Sequence, residues 1–123
     1  NMIIAVLEKK AGLSLLNEDI YVNIVGGLKP EGTYIDLAVA LAIYSTYRGM
    51  AAPARTIVIG EIGLTGELRT VQNADKIVRE AVRMGFKQII MPVKNAERIK
   101  PAGETKIIGV KNIQEAIRVF KNC

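Results

Sequence analysis

The chain has 123 residues, half of them apolar and 24% charged, with a net charge of +5, no histidine and one cysteine, Cys123. This length holds one modest core, and the composition is that of an ordered domain rather than a disordered segment. Without histidine, Ser-His and Cys-His nucleophilic mechanisms and imidazole metal sites are excluded, and a lone cysteine makes no internal disulfide. No apolar run reaches the roughly 18 residues of a membrane span, and the apolar start, Asn1–Leu7, lacks the basic flank and cleavage site of a signal peptide. The charge is uneven. Residues 62–123 carry twelve Lys/Arg against six Asp/Glu, a balance of +6, whereas residues 1–61 balance at −1. A basic half of this kind suits a polyanionic partner as well as plain solubility.

In chain order, Met2–Lys10 reads as a helix with Ile3, Val6 and Leu7 on one side, stopped at Gly12. Ile20–Val25 alternates as a strand closed by Gly26-Gly27, a strand-ending turn rather than a phosphate loop. Thr33–Tyr47 is apolar almost all round (Leu37, Ala38, Leu41, Ala42, Tyr44), which predicts a helix buried inside the domain. After Pro53, Thr56–Gly60 is a short continuous apolar strand. Glu61-Ile62-Gly63, a Leu64-Thr65-Gly66 turn and Glu67-Leu68-Arg69 then make a hairpin. Asn73 stands as N-cap of a helix with Ala74, Ile77, Val78, Ala81 and Met84 inward, ended by Gly85. Ile89-Ile90-Met91 and Ile107–Val110 are strands. In the last helix Ile113, Ala116, Ile117 and Phe120 fall at helical spacing, with Asn112 and Glu115 as a capping pair. These elements predict a single mixed α/β domain over 1–123, with two βαβ-like segments in its second half.

Several ordered stretches carry a family resemblance: AVLEKKAGL at Ala5–Leu13, VNIVGGLK at Val22–Lys29, DLAVALA at Asp36–Ala42 and GEIGLTGELR at Gly60–Arg69. Glu80-Ala81, Gly85-Phe86-Lys87 and Ile90-Met91-Pro92 complete the set. Together they resemble the Lon-protease-like C-terminal domain of the bacterial RadA/Sms family, and more distantly the Lon protease domain. The resemblance implies an α+β, Lon-protease-domain-like fold of the ribosomal-protein second-domain type. It also implies a cytoplasmic DNA repair and recombination ATPase in which this domain supports hexamer assembly, non-specific DNA binding and branch migration, with RecA recombinase as a partner. No Cys-x-x-Cys pair or G-x-x-x-x-G-K-[ST] loop is present. The family's zinc and its ATP with Mg²⁺ would therefore belong to regions outside this chain, and no cofactor is expected in it.

Lon-type peptidases use a serine at a helix start and a desolvated lysine as its base. Laid on this chain, the Lon serine motif D-G-P-S-A-G falls on Glu31–Asp36, putting Tyr34 at the nucleophile position. Continuing from Gly66, the lysine position falls on Ile77. Lys76 is adjacent, but one helical residue turns about 100°, so it should face solvent. Asp36 sets a carboxylate near the would-be oxyanion site. The resemblance thus implies a degenerate dyad, Tyr34 and Ile77. A substitute pair, Thr33 with Lys29, reads more simply as a helix cap and a solvated lysine, and Ser14, Ser45 and Thr46 have no lysine partner in the pattern.

Lys29, Arg48 and Arg69 fall at basic positions in or just beyond the family blocks, on loops or strand ends, and with Lys10 they are the candidate DNA contacts. Lys76, Arg79 and Arg83 form a helix stripe broken by Glu80 and locally paired through Asp75, read as solvated surface. Aromatic and basic residues do not interleave, so binding would be to the backbone and non-specific. The competing readings are a Lon-like hydrolase with an atypical dyad and a pure assembly module.

Overall fold

A computed structural model describes residues 36–49, 53–100 and 103–122. The expected first helix, the strand at Ile20–Val25 and the glycine pair after it lie outside the described residues.

The first described helix, α1, runs Asp36–Arg48. Leu37, Ala38, Leu41, Ala42 and Ser45 are buried along one face, while Tyr47 is exposed and Tyr44 half-buried. The expectation of a helix buried all round is therefore corrected. Its near-uniform apolarity hides the moment that usually marks the inward side.

Strand β1 (Thr56–Val58) leads into the hairpin of β2 (Glu61–Ile62) and β3 (Leu68–Arg69). Its antiparallel register pairs Glu61 with Arg69 and Ile62 with Leu68. Helix α2 (Ala74–Arg83) is followed by β4 (Gln88–Pro92), the short α3 (Val93–Ala96), β5 (Lys106–Val110) and α4 (Ile113–Lys121). The main sheet is parallel, in the order β1-β4-β5; Ile57 is opposite Ile89, and Ile89 opposite Ile107. β4 lies in the middle, so Ile89, Ile90 and Met91 are buried, the continuous apolar run of a strand covered on both faces. The parallel connection from β1 to β4 through α2 matches an expected βαβ-like segment, whereas that from β4 to β5 runs through α3, a helix the sequence reading had not placed.

Two predicted caps turned out differently. Asn73 precedes α2 as expected, but it sits in the left-handed region (φ 60) and makes no side-chain cap. Its carbonyl instead accepts from the N–H groups of Lys76 and Ile77, at 3.1 and 3.2 Å. Asparagine is one of the few residues that tolerates this conformation, and here its backbone serves the first turn. At α4, Asn112 Oδ1 accepts from the Glu115 N–H at 2.9 Å, the expected cap.

α2 ends in a Schellman arrangement. Phe86 N–H bonds to the Ala81 carbonyl at 2.9 Å and Gly85 N–H to the Val82 carbonyl at 3.1 Å, with Gly85 at φ 75. Met84, expected inward, is half-buried against the core at this helix end. Arg55 closes the same terminus from 30 residues away: its Nε and Nη2 donate to the Gly85 carbonyl at 3.1 and 2.6 Å. A cation on the last carbonyls of a helix opposes the negative end of its dipole.

α3 was not foreseen. It places Asn95, 8% exposed, against the segment that joins the hairpin to α2. Asn95 Oδ1 accepts from Val71 N–H at 2.9 Å, and its Nδ2 donates to the Val71 carbonyl at 3.1 Å. One side chain thereby satisfies both backbone groups of a buried residue, as a neighbouring strand would.

Candidate nucleic-acid interface

The hairpin is braced from within. Glu67 Oε1 accepts from the Thr65 hydroxyl at 2.8 Å and from its N–H at 3.0 Å, and Gly63 N–H bonds to the Glu67 carbonyl at 2.8 Å. The Glu67 carboxylate lies where a Cβ at Gly63 would stand, so a larger residue there would displace that side chain from its bonds to Thr65. The Thr65 hydroxyl, then backbone N–H groups, with Arg69 adding less, hold the Glu67 carboxyl below its ordinary range. At the tip, Leu64 is 100% exposed. Arg69 stands at the base of the hairpin with Nη2 3.9 Å from Glu67 Oε2. With both side chains about half exposed, this pair is weak and leaves the guanidinium available.

Arg48 is exposed but ends α1 rather than standing on a loop or strand end, which corrects the expected placement. The opposite end of α1 meets the hairpin: Leu37 N–H bonds to the Gly60 carbonyl at 3.0 Å and Asp36 Oδ2 accepts from Ile62 N–H at 3.2 Å. Twelve helical steps of 1.5 Å separate the two ends of α1 by about 18 Å. Lys10, Lys29, Thr33 and Tyr34 lie outside the described residues.

On α2, Ile77 is 3% exposed, within the apolar core, and Lys76 is exposed. Arg79 pairs with Asp75 at 3.6 Å, and Arg83 with Glu80, as a solvated stripe would. Ser45 is buried and donates its hydroxyl to the Ala42 carbonyl at 3.0 Å, a bond within its own helix. Among the described residues no three His, Cys, Asp or Glu side chains gather as a metal site would require.

The sequence reading missed a second cationic region. Lys106 on β5 and Arg118 and Lys121 on α4 are exposed. They border two adjoining depressions, of about 520 and 220 Å³, that share Arg118 and Asn122. The signal was in the helical period: with Ala116 and Phe120 inward, Gln114, Arg118 and Lys121 fall on the opposite face.

A parallel sheet with helices and an antiparallel hairpin defines a mixed α/β domain. The family model described as subunit ChlI of Mg-chelatase matches residues 2–95, and the chain belongs to this ChlI-type, Lon-like family. It is also homologous along nearly its whole length to the C-terminal quarter of bacterial DNA repair protein RadA. Identity is 42% over 119 residues to that of Halalkalibacterium halodurans, covering 97% of this chain and 26% of the relative. It is 42% over 119 residues to that of Bacillus subtilis, covering 96% and 26%. It is 39% over 119 residues to that of Escherichia coli, covering 97% and 26%. The chain thus spans about a quarter of the length of the curated relatives it matches. Among the described residues, no helix is long and apolar enough to cross a membrane.

Proposed function

We propose that this chain is a non-catalytic Lon-like domain serving a cytoplasmic DNA repair protein as a nucleic-acid-binding and ring-forming module. Its fold would be of the ribosomal-protein second-domain type, with residues 1–123 forming one domain. The burial of Ile77 carries the non-catalytic reading. A Lon-type base must be an amine within reach of its nucleophile. At the position where the resemblance expects that amine the chain has a core hydrocarbon, and the adjacent Lys76 is exposed. Asp36, at the start of α1, adds a carboxylate already bonded to Ile62 N–H, a poor neighbour for a developing oxyanion.

Homology to bacterial DNA repair protein RadA supports a role in DNA repair, and the basic second half supports binding to a polyanion. In a protein of the relatives' length, ATP with Mg²⁺ and zinc would be held by the other three quarters, this domain would support hexameric assembly, and contact with RecA recombinase would be a property of the whole. The candidate DNA contacts remain Lys10, Lys29, Arg48 and Arg69.

Two measurements test the reading. The chain, incubated with an unfolded protein substrate and a serine-reactive probe, should neither cleave nor become labelled; labelling at Thr33 or at a serine would replace it with a peptidase. Sedimentation with and without DNA should show a DNA-dependent shift. Self-association without one would leave a pure assembly module.

A further inference from the structure

The two depressions that share Arg118 lie along β5 and the outer face of α4. Their described lining contains three cations, Lys106, Arg118 and Lys121, and three amides, Gln88, Gln114 and Asn122, with no Asp or Glu among the described residues. None of the three cations has an ion pair among the described residues. Arg79 and Arg83 have carboxylate partners and Arg55 is committed to helix carbonyls; what sets Lys106, Arg118 and Lys121 apart from other exposed cations such as Lys76, Lys94 and Lys100 is that they border adjoining depressions with no acid in the described lining. The neighbouring acids in sequence, Glu104 and Glu115, border neither depression.

From this convergence we infer that the β5–α4 groove is a phosphate-binding track for a nucleic-acid backbone, held by Lys106, Arg118 and Lys121. The inference rests on the proposal that the chain binds nucleic acid, and it adds a site that the four earlier candidates do not include. The dimensions suit a backbone. From Gln114 to Asn122 the helix rises about 12 Å, equivalent to three or four base steps at 3.4 Å each. Lysine supplies mobile point charges and arginine a forked donor for phosphate oxygens, and the amides add neutral donors that position a backbone without reading bases. The half-buried Ile107 and Ile108 also line the depression, and contacts directed at phosphates carry no sequence information.

The test uses the 123-residue chain and fluorescent duplex DNA oligonucleotides titrated across a salt series. Each phosphate contact contributes about 0.9 to the slope of log affinity against log salt, which is about eightfold in affinity at 0.1 M salt. The Lys106→Ala, Arg118→Ala, Lys121→Ala variant should therefore lose about 2.7 from the slope and bind below detection at 0.1 M salt. Lys76→Ala, Lys94→Ala, Lys100→Ala removes the same charge elsewhere and should keep the slope, while Arg118→Lys should retain most of the binding. All six positions are exposed, and matching thermal melts verify that each variant is folded. Binding by the unaltered chain with an unchanged slope in the groove variant would overturn the groove while leaving nucleic-acid binding intact. An equal loss in the control variant would overturn it in favour of bulk charge. If the unaltered chain bound no oligonucleotide but bound poly-glutamate, the nucleic-acid reading itself would fall and the groove would belong to an acidic protein.

Discussion

Asn95 fixes the segment between the hairpin and α2, and its removal has a calculable effect. Asn95→Ala deletes two hydrogen bonds, at 2.9 and 3.1 Å, and strands the N–H and carbonyl of Val71, a residue that is itself buried. An unsatisfied buried polar group costs about 1–3 kcal/mol. Water entering the small space left behind offsets part of this for two groups, leaving about 2–4 kcal/mol. At about 4 °C per kcal/mol for a chain of this size, the melting temperature should fall by about 8–16 °C. Asn95→Asp keeps the acceptor for Val71 N–H but loses the donor and faces the Val71 carbonyl with a carboxylate, so it should not rescue stability at neutral pH. Differential scanning calorimetry at two scan rates measures the effect. A fall of less than about 3 °C for the alanine variant would refute the clamp as a stabilising element.

The remaining expectations concern the hairpin, the end of α2 and the dyad position. The Glu67 carboxyl is held below its ordinary range in the folded chain. Its contribution to stability is therefore complete above the unfolded-state carboxylate range and is lost as pH falls through the lower folded-state value; Glu67→Gln should abolish that part of the acid dependence in melts from pH 7 to 2, and an unaltered profile would contradict the bonds to Thr65. Gly85→Ala forces a Cβ into a left-handed position 3.0 Å from Arg55 Nη2 and should cost about 1–2 kcal/mol, read by denaturant unfolding; a neutral change would dismiss the Schellman geometry. Ile77→Ala should cost about 3 kcal/mol through the cavity it leaves, whereas Lys76→Ala should stay within about 0.5 kcal/mol. The reverse order in chemical denaturation would return Lys76 to the interior and reopen the dyad question.

Much of the second half was legible because its elements obey short-range rules. The hairpin follows from Gly63 and Gly66 around a three-residue turn, β4 from an unbroken apolar run, and α4 from apolar spacing behind an asparagine cap. α3 was illegible for an energetic reason: a four-residue helix has no period to read and exists through its packing on β4 and β5. Asn95 and Arg55 were missed because their partners, 24 and 30 residues away, are chosen by tertiary approach, and neither residue type announces such a bond. Asn73 had the right residue for a cap and the wrong backbone, since its left-handed turn turns the side-chain cap off. For the site, the inward position of Ile77 followed from the helical stripe. The β5–α4 cations escaped because the charge count was read along the chain, and Lys106 meets Arg118 only once β5 and α4 pack together.

The placement of β4 between β1 and β5 also constrains the order in which the molecule can assemble. The hairpin closes within nine residues, Glu61 to Arg69, on the microsecond scale of local structure. β1 has to find β4 at a separation of 32 residues, Thr56 to Gln88, and β5 can join only along the other edge of that strand. Loop closure on this scale delays parallel pairing relative to local turns. Until β4 is seated, its buried Ile-Ile-Met run presents two bare edges, so the interval before sheet closure is when the chain is most exposed to misassociation with other copies.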